Sequence, residues 1–362
     1  MERNERDMNY IGSKLSLLSF LDESINKVID KSVCHTFCDL FAGTGIVGSY
    51  FKQKGFSIIS NDLQYYSYVL NKHYIGNHKY FNFTGLFDEI PELKQSQPQE
   101  RHLIVCDFLS NLCGQEGFIY KNYSAAGSKD SQFERMYFSD ENAKKCDAIR
   151  SRIEDWHNNQ KINDNEYYFL IASLLEVIDK HANTASVYGA FLKKLKTSAQ
   201  KTLELVPARL IINEQDHVVY NSDANKLIKT IHPDILYLDP PYNERQYASN
   251  YHLLETIAKY DNPQIKGKTG LRDYSNQKSE YCSKSSVKKA FSDLIQNADC
   301  KYIFLSYNNE GLLGLDDIKE IMSKKGKYGF FTQKYNRFKA DSNRDYAANS
   351  TTEYLHWCIV GE

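Results

Sequence analysis

Two acceptors stand where a strand has to stop. Ile235-Leu236-Tyr237-Leu238 is an apolar run suited to a buried strand, and it leads straight into Asp239-Pro240-Pro241-Tyr242. Proline fixes φ and has no backbone N–H, so the hydrogen-bonded ladder must end there. The Asp239 carboxylate and the Pro240 carbonyl are then held past the strand's carboxyl end without ladder partners. That is where open α/β sheets bind their ligands. Such a tripeptide also ends strands with no further duty, so its meaning depends on the other chemistry-bearing residues.

A second set lies near the N-terminus. Thr36–Phe51 reads as a strand, a glycine turn and a helix opening near Ile46. Gly43 and Gly45 let the backbone bend tightly and approach a ligand, and Gly48 allows close helix–strand packing. Gly-x-Gly-x-x-Gly in that setting also marks dinucleotide folds. Asp39, in the last turn of the strand, argues against a dinucleotide, because a carboxylate there repels a pyrophosphate and attracts an ammonium group. The next strand, Ser57–Ser60, ends in Asn61-Asp62, an acid placed to accept from a ribose hydroxyl pair. An ammonium and a ribose without a pyrophosphate describe S-adenosylmethionine better than NAD. Asp223 follows a third strand, Val218–Tyr220, and reads as the carboxyl end of a strand neighbouring that of Asp239, where it could receive an adenine amino group. Lys14 precedes a helix in which Leu15, Leu18, Leu21 and Ile25 recur at helical spacing and which Ser13 can cap. A cation there opposes the helix dipole, so Lys14 either has an anionic partner or is a surface lysine. His252, at the start of a helix over 251–260, suits helix-start packing better than a general base.

The elements that must position these residues follow an α/β rhythm with one interruption. At 362 residues the chain can form one large domain or two ordinary ones. Residues 76–205 break the rhythm. Leu103-Ile104-Val105 with Asp107 suggests a strand. The segment 117–139 has no period and mixes aromatic, glycine and charged residues, as functional loops do. Ser139 precedes a helix with Cys146, Ile149, Ile153 and Trp156 on one face, and Asn163 with Glu166 has capping-box spacing before another. Ala185–Lys196 continues in helical style. The rhythm resumes at Val218. Ile303–Tyr307 reads as a strand, and Tyr328–Phe338 with Glu353–Val360 as two antiparallel closing strands.

Composition narrows the setting. No stretch approaches the ~18 apolar residues of a membrane span, and MERNERDMNY has no signal-peptide run, so a cytoplasmic protein is expected. The eight cysteines contain no Cys-x-x-Cys pair, which speaks against zinc and against a disulfide framework. Formal charge is −1, yet basic residues are concentrated. Lys259 to Lys289 carries eight bases against three acids, and Lys324 to Arg344 seven against one, with several of the 27 tyrosines among them. Such segments suit a phosphate backbone with bases to stack, or are solvated loops.

With Asp39-Leu-Phe-Ala-Gly43-Thr-Gly45, Asp62, Asp223 and Asp239-Pro-Pro-Tyr242 in this order, the chain resembles the Dam-like (alpha-group) adenine-specific DNA methyltransferases from Tyr10 to near the C-terminus. The resemblance implies an α/β fold, a Rossmann-like class I methyltransferase sheet of seven strands, mostly parallel with one antiparallel, carrying a mostly helical insertion. It divides the chain into a catalytic domain (1–75 and 206–362) and a target-recognition insertion (76–205). It implies S-adenosylmethionine as cofactor, held by Tyr10, Lys14, Asp39, Phe41, Gly43, Gly45, Asp62 and Asp223, with no metal. It makes Asp239, Pro240 and Tyr242 the catalytic residues. Double-stranded DNA is then the partner, either in a restriction-modification system, whose cognate restriction endonuclease is not a stable subunit, or in an orphan modification system. The insertion differs from that of Dam itself, so no particular target sequence follows.

The expected chemistry is N6 methylation of an adenine flipped out of the duplex. Asp239 and Pro240 would accept the two amine N–H bonds, freeing the nitrogen lone pair for in-line attack on the sulfonium methyl, while Tyr242 stacks on the base. RNA bases and protein glutamine are rival acceptors for the same tetrapeptide. A non-catalytic DNA-binding protein with a dead cofactor site is the rival of another class.

Overall fold

The computed structural model describes Met8, residues 10–336 and residues 350–362. The chain forms two compact units, each assembled from three stretches of sequence. One comprises Gly12–Asn71, Asn213–Tyr247 and Ser275–Glu362, and the other Met1–Ile11, Lys72–Ile212 and Ala248–Tyr274.

The first unit holds a seven-stranded sheet. Its strands are β1 (Thr36–Asp39), β2 (Ser57–Asn61), β3 (Val218–Tyr220), β4 (Ile235–Leu238), β5 (Tyr302–Asn308), β6 (Gly326–Asn336) and β7 (Ser350–Val360). Their order is β3-β2-β1-β4-β5-β7-β6. The first five run parallel, and β7 is antiparallel to both of its neighbours. This is the expected Rossmann-like methyltransferase sheet. All four residues of β4 are buried, as a central parallel strand covered on both faces requires. One face packs Leu236, Leu238, Ile303 and Leu305 against Phe291, Leu294, Ile318 and Met322 of the helices Val287–Asn297 and Leu315–Ser323. Phe37 stacks on Phe51 of the helix Ile46–Gln53 at 4.1 Å. Phe338 and the basic residues Arg337, Lys339 and Arg344 lie outside the described residues.

Ser13 does not cap the N-terminal helix. A 3-10 turn over Leu15–Leu17 comes first, with Leu17 N–H donating to the Lys14 carbonyl, and the α-helix proper is Leu18–Asn26. Lys14 occupies the capping position and sends its side chain inward instead.

The second unit is mostly helical, built on Pro98–Ser110, Asp140–Asn158, Asp164–His181 and His252–Lys259, with a small hairpin of Ile265–Lys266 and Leu271–Arg272. Ser139 caps the second helix, and Asn163 with Glu166 forms the expected capping box on the third. Arg150 is fully buried and donates to the carbonyls of Ile257 and Ala258, satisfying the carboxyl end of the fourth. Three expectations fail here. Leu103–Val105 lies inside a 13-residue helix that opens with Pro98 at its first turn; Leu103 faces solvent while Val105, Cys106 and Leu109 are buried at helical spacing. The stretch 117–139 contains the helices Phe118–Tyr123 and Ala125–Ser128, the first of them started by Asp147, which accepts from the N–H groups of Ile119 and Tyr120. Ala185–Lys196 is not helical. The preceding helix ends at His181, and Asn183 ties the irregular segment down by bonding Met136, Leu192 and Lys196.

Candidate active site

The carboxyl ends of β1, β2 and β4 each deliver an acid. At the end of β1, Asp39 is 1% exposed and accepts the Gly48 N–H at 3.0 Å. Burial pushes its pKa up to about 8, and the charges of Asp239 and Asp62 push the same way. Only a hydrogen bond from within the protein opposes that cost, so this carboxylate is poised to receive a cation. Beyond β2, Asp62 fixes the glycine turn by accepting the Gly43 N–H at 2.8 Å and the Gln64 N–H at 2.8 Å.

The turn is formed for close approach. Gly43 and Gly45 have φ of +52° and +77°, in the region that favours glycine. A Cβ on Gly45 would lie 2.6 Å from Asn71 Oδ1. Asn71 in turn accepts from Ser60 Oγ at 2.7 Å and donates to the Gly43 carbonyl at 2.9 Å. Phe41 meets Tyr281 edge-on at 5.0 Å.

At the end of β4 the prolines end the strand as expected, and no hydrogen bond from the described residues reaches the Pro240 carbonyl. Asp239 keeps 17% of its side chain exposed. Lys14, 3% exposed, lies 3.1 Å from Asp239 Oδ1 and 2.9 Å from Glu353 Oε1. The two contacts differ in kind. By geometry Lys14 donates a hydrogen bond to Glu353, whereas its 3.1 Å ion pair with Asp239 Oδ1 is out of hydrogen-bond alignment, and no other described residue hydrogen-bonds that oxygen. Burial alone would depress the Lys14 ammonium, but the two carboxylates more than offset that and hold it well above its usual range. Burial raises the Asp239 carboxyl to about 6; Lys14 opposes the rise and Glu353 adds to it. Tyr242 packs edge-on against Tyr307 at 6.0 Å, and the Lys14 ammonium lies 5.5 Å from its ring centroid.

The first unit therefore gathers Lys14, Asp39, Phe41, Gly43, Gly45, Asp62, Asp239, Pro240 and Tyr242 on one sheet. Lys14 has the anionic partners that its position called for. Two residues fall elsewhere. Asp223 follows β3, the outer strand beyond β2, so it is not beside β4; its exposed carboxylate caps the helix Ala224–Leu227 by accepting the Lys226 N–H. Tyr10 belongs to the second unit, where it stacks on Tyr251 at 4.8 Å. His252 is buried, donates to the Tyr188 carbonyl at 3.0 Å, and is pushed down to about 4 by burial, which fits packing and a neutral ring. Reading the sequence missed Glu353, Ser306 and Asn71. The clue to Glu353 was an acid on the same strand face as Leu355, both fully buried.

Comparison with known proteins gives the family. Residues 10–328 match the family described as D12 class N6 adenine-specific DNA methyltransferase. The Type II methyltransferase M.NlaIII of Neisseria lactamica is 53% identical over 352 residues, covering 96% of this chain and 98% of that protein. M.CviAII of Paramecium bursaria Chlorella virus 1 is 35% identical, with 98% of both covered. M.FokI of Planomicrobium okeanokoites is 39% identical over 97% of this chain, which spans about half (52%) of that longer protein. Neither the RNA and glutamine rivals nor the non-catalytic one is favoured by these matches. An enzyme of this kind acts on DNA with a methyl donor, and among the described residues no helix is long and apolar enough to cross a membrane. By family match and full-length likeness together, the chain belongs to the D12 class of N6 adenine-specific DNA methyltransferases.

Proposed function

We propose that this enzyme modifies a specific duplex site by transferring a methyl group from S-adenosylmethionine to the N6 atom of a flipped adenine, as the modification partner of a separate restriction endonuclease. The observation that carries the chemistry is the pair of acceptors beyond β4 that receive no hydrogen bond from the described residues, Asp239 Oδ1, ion-paired to Lys14, and the Pro240 carbonyl. An adenine amine is a poor nucleophile because its lone pair is delocalised into the ring. Accepting both N–H bonds favours a pyramidal nitrogen whose lone pair is free, and holding it in line supplies much of the rate. No strong base is required, since the proton leaves after transfer. Tyr242 offers a ring on which the extruded base stacks.

The residues at β1 and β2 suit the proposed donor. Among the described residues Asp39 is a buried acid with no cation beside it, as the ammonium of a methionine moiety would provide, and the positive φ of Gly43 and Gly45 turns the backbone tightly at the end of β1. Asp62, already bonded through both oxygens to backbone N–H groups, is oriented for a ribose hydroxyl pair. When bound, the donor supplies an electrophilic methyl on a sulfonium. Asp223 remains the candidate for the adenine amino group of the donor, and Tyr10 and Phe41 for its flanks. Residues 76–205 are proposed to read the DNA site, and the basic stretch from Lys259 to hold phosphates. Such a substrate places the enzyme in the cytoplasm.

The test is Asp239→Ala, assayed by labelled-methyl transfer to duplex DNA and by donor binding. Transfer should fall by at least about 100-fold, with donor affinity close to that of the parent. Substantial residual transfer would overturn the assignment.

A further inference from the structure

Lys14 faces two carboxylates, but its geometry serves them unequally. Glu353, on β7 opposite Asn308 of β5, is fully buried. Its Oε1 accepts from Lys14 at 2.9 Å and from Ser306 Oγ of β5 at 2.6 Å. Its Oε2 is buried and receives no hydrogen bond from the described residues. A buried ion that is only partly bonded costs several kcal/mol, so a carboxylate in this place is not explained by stability. An apolar residue would suit the strand better, as Leu355 does two positions on.

We propose that Glu353 is a positioning residue that keeps Asp239 available to the substrate amine by taking the Lys14 hydrogen bond for itself. This rests on the assignment of Asp239 as the amine acceptor. With only one carboxylate in reach, Lys14 would turn its N–H fully onto Asp239 Oδ1, the atom the amine needs. With two, the cation still balances the charge of Asp239, while its directed bond goes to Glu353 and Ser306 anchors that carboxylate. The cluster then carries one net negative charge. That charge favours the positive charge which develops on the nitrogen as the methyl arrives.

The groups facing Asp239 are Lys14 from the N-terminal segment, Glu353 from β7 and Asp39 from β1, with Tyr237 of β4 and Tyr242 nearby. Of these, Glu353 raises the Asp239 carboxyl and Lys14 lowers it. Glu353→Gln keeps the shape and an acceptor but removes the charge, so Asp239 becomes more acidic as it becomes less available. The variant should lose roughly 10- to 100-fold in kcat, with KM for DNA and for the donor little changed. The acid limb of its pH–rate profile should move to lower pH, because Asp239 must be ionised to accept and now ionises more easily. Glu353→Asp should recover part of kcat and return the limb toward the parent position.

A general packing defect would instead lower the active fraction at every pH and leave the limb where it was. That result, or an unchanged kcat, would overturn the proposal. Parent enzyme assayed alongside separates the two levels: if Asp239→Ala remains active, the acceptor assignment has failed and Glu353 has nothing to position. If Asp239→Ala is dead and Glu353→Gln behaves as the parent, the failure belongs to Glu353 alone.

Discussion

Asp39 couples binding to protonation in a way a single substitution can expose. Its pKa is about 8 in the fold against 3.8 as an ordinary side chain. Between those values the folded chain holds a proton that the unfolded chain has released, so the protein loses stability as pH rises through that window. Asp39→Asn retains an acceptor for the Gly48 N–H but has no charge to bury. Its advantage over the parent should be small near pH 4 and grow toward pH 8, where it should reach the order of a few kcal/mol. Thermal midpoints measured across that range check this. The same substitution should abolish tight donor binding, as expected where a site is strained in order to function. In the parent, binding a cation at Asp39 should expel a proton near pH 7, so calorimetric heats in buffers of different ionisation enthalpy should differ. Equal heats would remove Asp39 from the ammonium site.

At the scale of elements, the hairpin Ile265–Arg272 is an exposed feature of the second unit that is held from several sides. Arg135 donates to the carbonyls of Gly267 and Lys268, Tyr123 donates to that of Gly270, and Arg272 pairs with Asp261 through two bonds. Lys266 and Lys268 remain exposed on it. Gly270 has φ of +68°, and a Cβ there would lie 2.8 Å from Tyr123 and 2.9 Å from Arg135. Gly270→Ala should therefore dislodge the turn and weaken DNA binding in a filter or anisotropy assay, with donor binding unaffected. Unaltered DNA affinity would free the hairpin of that duty. Elements of this kind separate what could be read in the sequence from what could not. The strand ends, the glycine turn and the helix caps at Ser139 and Asn163 are local chemistry, decided within a few residues. The Leu-Ile-Val run was misread because a β-branched pair also fits one face of a helix, and 117–139 because the first of its two short helices is set by Asp147, well outside the stretch. The pairing of Lys14 with Glu353 spans 339 positions, and no local pattern announces it.

For the whole molecule, net charge of −1 conceals the unevenness that matters for a polyanion. Affinity for duplex DNA should fall steeply with salt, as release of condensed counterions demands. Replacing Lys266 and Lys268 by Glu should flatten the slope of log affinity against log salt by about 2 if both meet phosphates. An unchanged slope would place the contact elsewhere. The route of the chain has a consequence of its own. It passes from one unit to the other after Ile11, Asn71, Ile212, Tyr247 and Tyr274, so neither unit is a continuous cassette. Grafting residues 72–212 from a relative of different specificity would separate Arg135 and Tyr123 from the hairpin they hold. If the second unit reads the DNA site, exchange of specificity requires at least two grafts made together, 72–212 with the hairpin segment, and recombination at a single junction should leave the two mismatched.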